Sequence, residues 1–398
     1  MQASASLDDL RVLDISQGIA GPLCAKILGD FGAHVIKVEP PEGEVARRMP
    51  PFYHDEPHHE KSLVHLLLNT NKKGVTLKID TDAGSGLFRE LVKQSDIIVE
   101  SFPPGYLESL GLGYSSLEKI NPEIILTSIT GFGQTGPYSG YKGEEIVAYA
   151  MGMIMSISGT TDGEPLKHGG FQSQYEGGIS GAMATAAAAL MRDFTGEGQH
   201  VDVSIQEVVN WTLVHSFSTF SWNGGVVGRR NPEGTMFGNV MPCKDGYFIT
   251  QLGQGTTWDK LVDFYGKEEL REERFADPGQ RLANGPELDS ILVDAAKDRS
   301  VKELFSNASK ERILVGMVQT PKDLSECPQL ESRNFYQEVE HPVVGKIRLP
   351  YTMFNMSETP AQYQMPAPLL GQHTTEIFHQ LLGRSENDIV SLKEQGVI

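Results

Sequence analysis

Cysteine is scarce: Cys24, Cys243 and Cys327 are the only three in 398 residues. Three widely spaced thiols build neither a disulfide framework nor a zinc-binding spacing, so a reducing, cytoplasmic setting is expected. Cationic residues are also in short supply, 34 Lys and Arg against 52 Asp and Glu, for a net charge of −18. Nucleic acid and anionic membranes both call for a basic face, and neither is expected as a partner. No run approaches the roughly 20 apolar residues of a membrane span. The opening MQASASLDDL lacks a basic stretch followed by an apolar core, so no secretory signal is expected. The sequence has no internal repeat and no low-complexity block. One segment, His54-Asp55-Glu56-Pro57-His58-His59-Glu60, is metal-like in composition. Pro57 breaks the helical turn that would pair His54 with His58, so a solvated loop is expected and no metal site.

What is present is enough apolar material, 39% of residues, for a sizeable core, and a length that favours two domains. The first half alternates short apolar strands with helices. Strands are expected at 10–15, 35–39, 75–79, 97–99 and 124–126, with helices from Gly21 to Asp30 and from Asp82 to Gln94. Gly177 to Leu190, rich in Gly and Ala, reads as a tightly packed helix. This alternation implies an α/β fold with a mostly parallel sheet covered on both faces and ligands beyond the carboxyl ends of its strands. From about Gly224 the texture changes to an exposed Gly, Asn and Arg connection. A smaller α+β region follows, with a strand at 247–251 and helices near 258–265, 286–297 and 301–306. The expected division is 1–200 for the large domain, 201–228 for a linker helix and connection, 229–325 for the small domain, and 326–398 for a return to the large one.

Several blocks carry a family resemblance. They include Leu13-Asp14-Ile15 through Ala20-Gly21-Pro22, Gly32 to Pro40, Asn69 to Lys73, Gly111 to Tyr114, and Gly131 to Tyr138. Thr195-Gly196-Glu197-Gly198-Gln199, Val201 to Ser204, and the tail Ala367-Pro368-Leu369-Leu370-Gly371-Gln372-His373-Thr374 complete the set. In this order and at these separations the chain resembles the family III CoA-transferases, which include formyl-CoA and carnitine CoA-transferases and the α-methylacyl-CoA racemases. The resemblance implies a Rossmann-like large domain with a smaller α+β domain, in an interlocked dimer whose sites lie between chains. It also implies acyl-CoA and carboxylic acid substrates, with coenzyme A entering as the thioester substrate and no tightly bound cofactor.

In that family an Asp carboxylate attacks the acyl-CoA thioester, forming a mixed anhydride and then an enzyme thioester. Counting back from Thr195-Gly196 places the attacking position on Gln174, four residues before Gly178. A carboxamide cannot form the anhydride. The racemases add a His whose position matches Glu144, so racemisation is not expected. Glu176 lies two residues from the empty seat. Its ordinary reading is an acidic residue of the first helical turn, where the helix dipole favours a negative charge; its other reading is a substitute nucleophile. The resemblance places CoA contacts at Gln17, Gly18, Ile19, Ala20, Leu77, Ser101, Phe102 and Lys142, and a retained acidic site residue at Glu145. Lys72 and Lys73 face either CoA or solvent. Family cation positions that grip phosphate fall on Pro40, Asp80 and Ser109, none of them basic.

Three functions remain open. One is a catalytically degenerate subunit whose Asp-bearing paralogous sister supplies the chemistry, as in the succinyl-CoA:(R)-benzylsuccinate CoA-transferase type. The others are an active homodimer using Glu176, and a non-enzymatic binding or scaffolding protein. Gly131–Gly136 lacks the Gly-Lys-Ser/Thr ending of a phosphate loop and reads as a backbone turn near the site. Gly253-Gln254-Gly255 is either a mobile loop over the site or a plain turn. Trp211, Trp222 and Trp258 are expected to pack rather than to stack on ligands.

Overall fold

A computed structural model describes residues 5–231, 235–253 and 255–398. The chain forms two compact units: residues 5–156, 167–227 and 333–398 make the larger, and 157–166 with 228–332 the smaller. The smaller unit thus takes in a short upstream segment and runs past the expected end at 325. Residues 200–204 belong to the larger unit's sheet rather than to a connection.

The larger unit is built on six parallel strands. These are β1 (Arg11–Asp14), β2 (His34–Glu39), β3 (Lys72–Thr76), β4 (Ile97–Glu100), β5 (Ile125–Thr130) and β6 (His200–Ser204), in the order β3-β2-β1-β4-β5-β6. The chain winds outward from β1 in one direction and from β4 in the other, so the strand order reverses between β1 and β4. Ligands of doubly wound sheets bind at this crevice. Alternate residues of each strand serve opposite faces, and both faces are buried. Val12, Val35 and Ile97 join one core; Leu13, Ile36 and Ile98 join the other. Helices Ala20–Asp30 and Gln172–Thr195 cover the first face. Asp82–Val92, Thr374–Leu382 and Glu386–Glu394 cover the second through Phe88, Phe378 and Ile389. The tail is tied to β3, where the Thr76 amide donates to Thr374 Oγ1 at 3.0 Å.

The third strand begins and ends three residues earlier than expected. The reason lies in its charges. Lys72 is fully buried and donates to Asp14 Oδ2 at 2.8 Å, Asn69 Oδ1 at 2.9 Å and the Pro22 carbonyl at 2.7 Å. A lysine with three internal acceptors is at home in a sheet interior, although its hydropathy argues against it. Burial pushes the Lys72 ammonium down to about 8, against the pull of Asp14. Burial would raise the Asp14 carboxyl, but Lys37 and Lys72 more than offset this and hold it below the usual range.

The long helix Gln172–Thr195 lies close against Ala20–Asp30 because glycines line its contact face. A Cβ on Gly178 would sit 2.6 Å from the Ala20 carbonyl oxygen, and one on Gly181 would sit 3.5 Å from Cys24 Sγ and 2.5 Å from Ile129 Cδ1 of β5 beneath. The helix stops at Gly196, whose φ of 71° suits glycine.

In the smaller unit, β7 (Val240–Pro242), β8 (Tyr247–Thr250) and β9 (Val315–Met317) form an antiparallel sheet in that order. Helices Trp258–Tyr265, Gly285–Ala296 and Val301–Glu311 pack around Phe248, Phe275 and Leu292. Trp258 packs as expected, with Arg281 3.9 Å above its ring. Trp211 and Trp222, in the larger unit, do not: they are 77% and 81% exposed.

Candidate active site

Two groups of residues in the larger unit make up the candidate site. The first gathers at the carboxyl ends of β1, β3 and β4. Ser101 Oγ accepts from the Gln17 amide at 2.9 Å and donates to the Gln17 carbonyl at 3.1 Å, locking the two loops that flank the switch point. Gly18 has φ 77°, a region that favours glycine, and its amide donates to Glu44 Oε2 at 3.0 Å. Ile19 and Ala20 are buried and lead into the first helix. A cavity of about 180 Å³ opens beside this turn, and its walls include Gln17, Leu77 and Phe102. The Phe102 and Tyr106 rings lie 4.8 Å apart.

Five of the expected contacts, Gln17, Gly18, Leu77, Ser101 and Phe102, therefore meet at one place. Lys72 and Lys73 do not join them. Lys72 is enclosed by the acceptors described above, at odds with a phosphate contact. Lys73 lies at the amino end of β3, in a cavity wall shared with Arg11 and His34, and pairs with Glu376 at 2.6 Å. The cavity beside Gln17 holds two groups that sequence reasoning missed. Lys78 is exposed in its wall. Glu44 is buried, its Oε2 held by the Gly18 and Ala46 amides, and burial raises its carboxyl above the usual range. Pro40 and Asp80 also line it, so the cation-poor character read from those positions is present in the wall itself.

The second group surrounds the start of the long helix. Gln174 is half-buried in its first turn. Gly178, one turn further on, packs on Ala20, which places the glutamine within about one helical turn of the Gly18–Ala20 segment. Glu145 is buried and opens the helix Glu145–Met151. It accepts from the Ser173 amide at 3.4 Å, the Gln174 amide at 3.3 Å and the Ser173 hydroxyl, and stands 3.7 Å from Lys167 Nζ. One carboxylate thus caps a 24-residue helix, occupying amides that would otherwise face the site. Ser173 and Lys167 are partners that no sequence motif marked. Lys142 is exposed, three residues before Glu145.

Glu176 sits in the same helix, and residues two apart are rotated by roughly 200° about its axis. Its side chain leaves the helix on nearly the opposite side from that of Gln174. Burial raises the Glu176 carboxyl, reinforced by Glu145 and opposed by His168, and its Oε2 has no hydrogen-bond partner among the described residues. Tyr149 is fully buried; burial, with Glu176 and Glu145, pushes its phenol up to about 12. Glu144, at the racemase His position, is exposed and neither accepts nor donates through its side chain at the cap.

The Gly131–Gly136 turn is held by Asp202, whose two carboxylate oxygens accept from the Gln134 amide, each at 3.0 Å. Gly131 and Gly143 touch backbone to backbone: a Cβ on either would lie 2.4 Å from the other's Cα. In the Gly253–Gly255 segment, position 254 lies outside the described residues. No group of three metal-ligating side chains occurs among the described residues, the His54–Glu60 segment included. No helix there is long and apolar enough to cross a membrane.

The sequence profile of CoA-transferase family III matches residues 7–374. The chain belongs to that family. It is 32% identical to the succinyl-CoA–D-citramalate CoA-transferase of Chloroflexus aurantiacus over 98% of both chains. It is likewise 32% identical to the human succinyl-CoA:glutarate CoA-transferase, over 98% of this chain and 90% of that one. Among solved structures, a CaiB/BaiF family protein from Brucella suis superposes with a TM-score of 0.86 at 30% identity, covering 95% of this chain and all of that one. A family III CoA-transferase acts on CoA thioesters, and the geometry above is that of its large domain, with a glutamine at the start of the long helix.

Proposed function

We propose that this chain is the silent subunit of a heteromeric family III CoA-transferase, with an Asp-bearing paralogue carrying the covalent chemistry. The observation that supports this is Gln174. It occupies the first turn of the Gln172–Thr195 helix, and no carboxylate shares its face there. Glu176 points away, and Glu145 is engaged in capping. Bringing Glu176 to the Gln174 position would require unwinding the turn, and catalysis is sensitive to displacements of about 1 Å.

Pairing with another chain has support of its own. Met183, Phe194, Trp211, Phe217, Phe220 and Trp222 are each more than half exposed. Apolar surface of this kind marks an interaction face, and an interlocked partner would cover it. Acyl-CoA and a free carboxylic acid would be the substrates of the assembled enzyme.

The test is to assay the purified chain with succinyl-CoA and glutarate, alone and after co-expression with an Asp-bearing family III paralogue from the same genome. The reading expects no transfer from the chain alone and a stable, active hetero-oligomer on co-expression. Robust transfer by the chain alone would end it.

A further inference from the structure

Lys78 was given no role by its sequence context, yet its position is that of a ligand-binding residue. It follows β3 at the carboxyl end of the sheet, on the side where doubly wound sheets hold their ligands. Its backbone is fixed. The amide donates to the Val397 carbonyl at 2.7 Å, and its carbonyl accepts from Thr81 Oγ1 at 2.9 Å. Gly84 packs so closely that a Cβ there would lie 1.9 Å from the Lys78 carbonyl oxygen. The ammonium on this rigid base is exposed and has no ion pair among the described residues. It is the one cation among the described residues lining the 180 Å³ cavity.

The rest of the wall sets what that ammonium can hold. Leu77, Phe102 and Tyr106 offer apolar and aromatic surface suited to a purine. Glu42 and Asp80 are exposed in the same wall and repel added negative charge. One ammonium can grip one phosphate group, whereas a second phosphate cluster would meet carboxylates.

We propose that Lys78 is a phosphate-binding residue of this chain, and that the cavity takes the adenosine diphosphate end of an acyl carrier without selecting for a further phosphate on the ribose. This rests on the reading of the chain as a CoA-handling protein. It goes beyond that reading by naming the residue that grips and the part of the ligand that is not recognised.

Calorimetry on the full chain with CoA and with dephospho-CoA tests it. Both ligands are expected to bind, dephospho-CoA at least as tightly as CoA. Lys78→Ala and Lys78→Met should each weaken both by about tenfold or more, the loss of one charge-assisted contact. Asp80→Asn should tighten CoA several-fold and dephospho-CoA less. Unchanged affinity in both Lys78 variants would overturn the proposal. So would CoA binding more than about tenfold tighter than dephospho-CoA, or neither ligand binding. That last result would leave the silent-subunit reading standing, because that reading depends on the chemistry at Gln174 and on pairing.

Discussion

Glu100 ends β4 immediately before the Ser101–Phe102 loop, and it is 3% exposed. Its Oε2 accepts from the Phe102 amide at 2.7 Å, and the nearby Ser128 hydroxyl also favours its ionised form. Ser128 Oγ in turn lies 2.9 Å from His200 Nε2. Burial dominates these contacts and raises the Glu100 carboxyl from 4.5 to about 7. The folded state therefore favours the protonated acid. Its contribution to stability is fully present below pH 4.5 and is lost as pH rises through about 7. A shift of this size corresponds to about 3 kcal/mol. Glu100→Gln keeps a carbonyl acceptor for Phe102 and stays neutral at every pH. Relative to the unmodified protein, the variant should become more stable by about 3 kcal/mol between pH 4.5 and pH 8.5. For a unit of this size that is a gain in Tm of roughly 5 °C. Thermal or urea unfolding of both proteins at half-unit pH steps measures it. A difference that stays flat with pH, or that shrinks as pH rises, would refute the argument that Glu100 is buried as a neutral acid.

Other expectations concern the frame around the site. Arg47 is fully buried, with Nε and Nη2 on Glu39 at 2.6 and 2.8 Å and Nη1 on Glu60 at 2.7 Å. Arg47→Ala leaves two buried carboxylates without their cation and should cost about 3–5 kcal/mol in urea unfolding. Gly178→Ala drives a methyl into the Ala20 carbonyl, so it should lower stability by about 1–3 kcal/mol and shift the start of the long helix, visible in a crystal structure of the variant. Glu145→Ala removes the cap from the Ser173 and Gln174 amides and should cost about 1 kcal/mol, with faster hydrogen exchange confined to the first turn of that helix.

Much of the fold was legible because short strands and helices alternate, and because β-branched and aliphatic residues such as Val35-Ile36 and Ile97-Ile98 are buried on both sides of a parallel sheet. The start of β3 was not legible. Its Lys72 reads as a surface residue until Asp14, Asn69 and the Pro22 carbonyl converge on it from three other segments. The same long-range convergence hid Glu44, which is held by amides of the β1 loop and its own turn. Gln174 drew notice only through the family resemblance, and the uninterrupted helix then fixes its distance from Gly178 and Gly196. That Glu176 points elsewhere required knowing that the helix already begins at Gln172. Lys78 carried no signal, because nothing local shows that the second residue after β3 opens onto a cavity. The exposure of Trp211 and Trp222 escaped for a related reason: an exposed tryptophan looks, in sequence, like one buried in its own core.

The central claim is that an amide at position 174 silences this chain. Incubating the purified chain with succinyl-CoA, reducing with borohydride and mapping the modified peptide by mass spectrometry tests it most directly. No carboxyl-to-alcohol conversion is expected on the unmodified chain, whereas Gln174→Asp should show one at residue 174, where hydride reduces the aspartyl thioester to homoserine and releases CoA as the free thiol. Conversion of Glu176, or of any other carboxylate of the unmodified chain, to its alcohol would contradict the account.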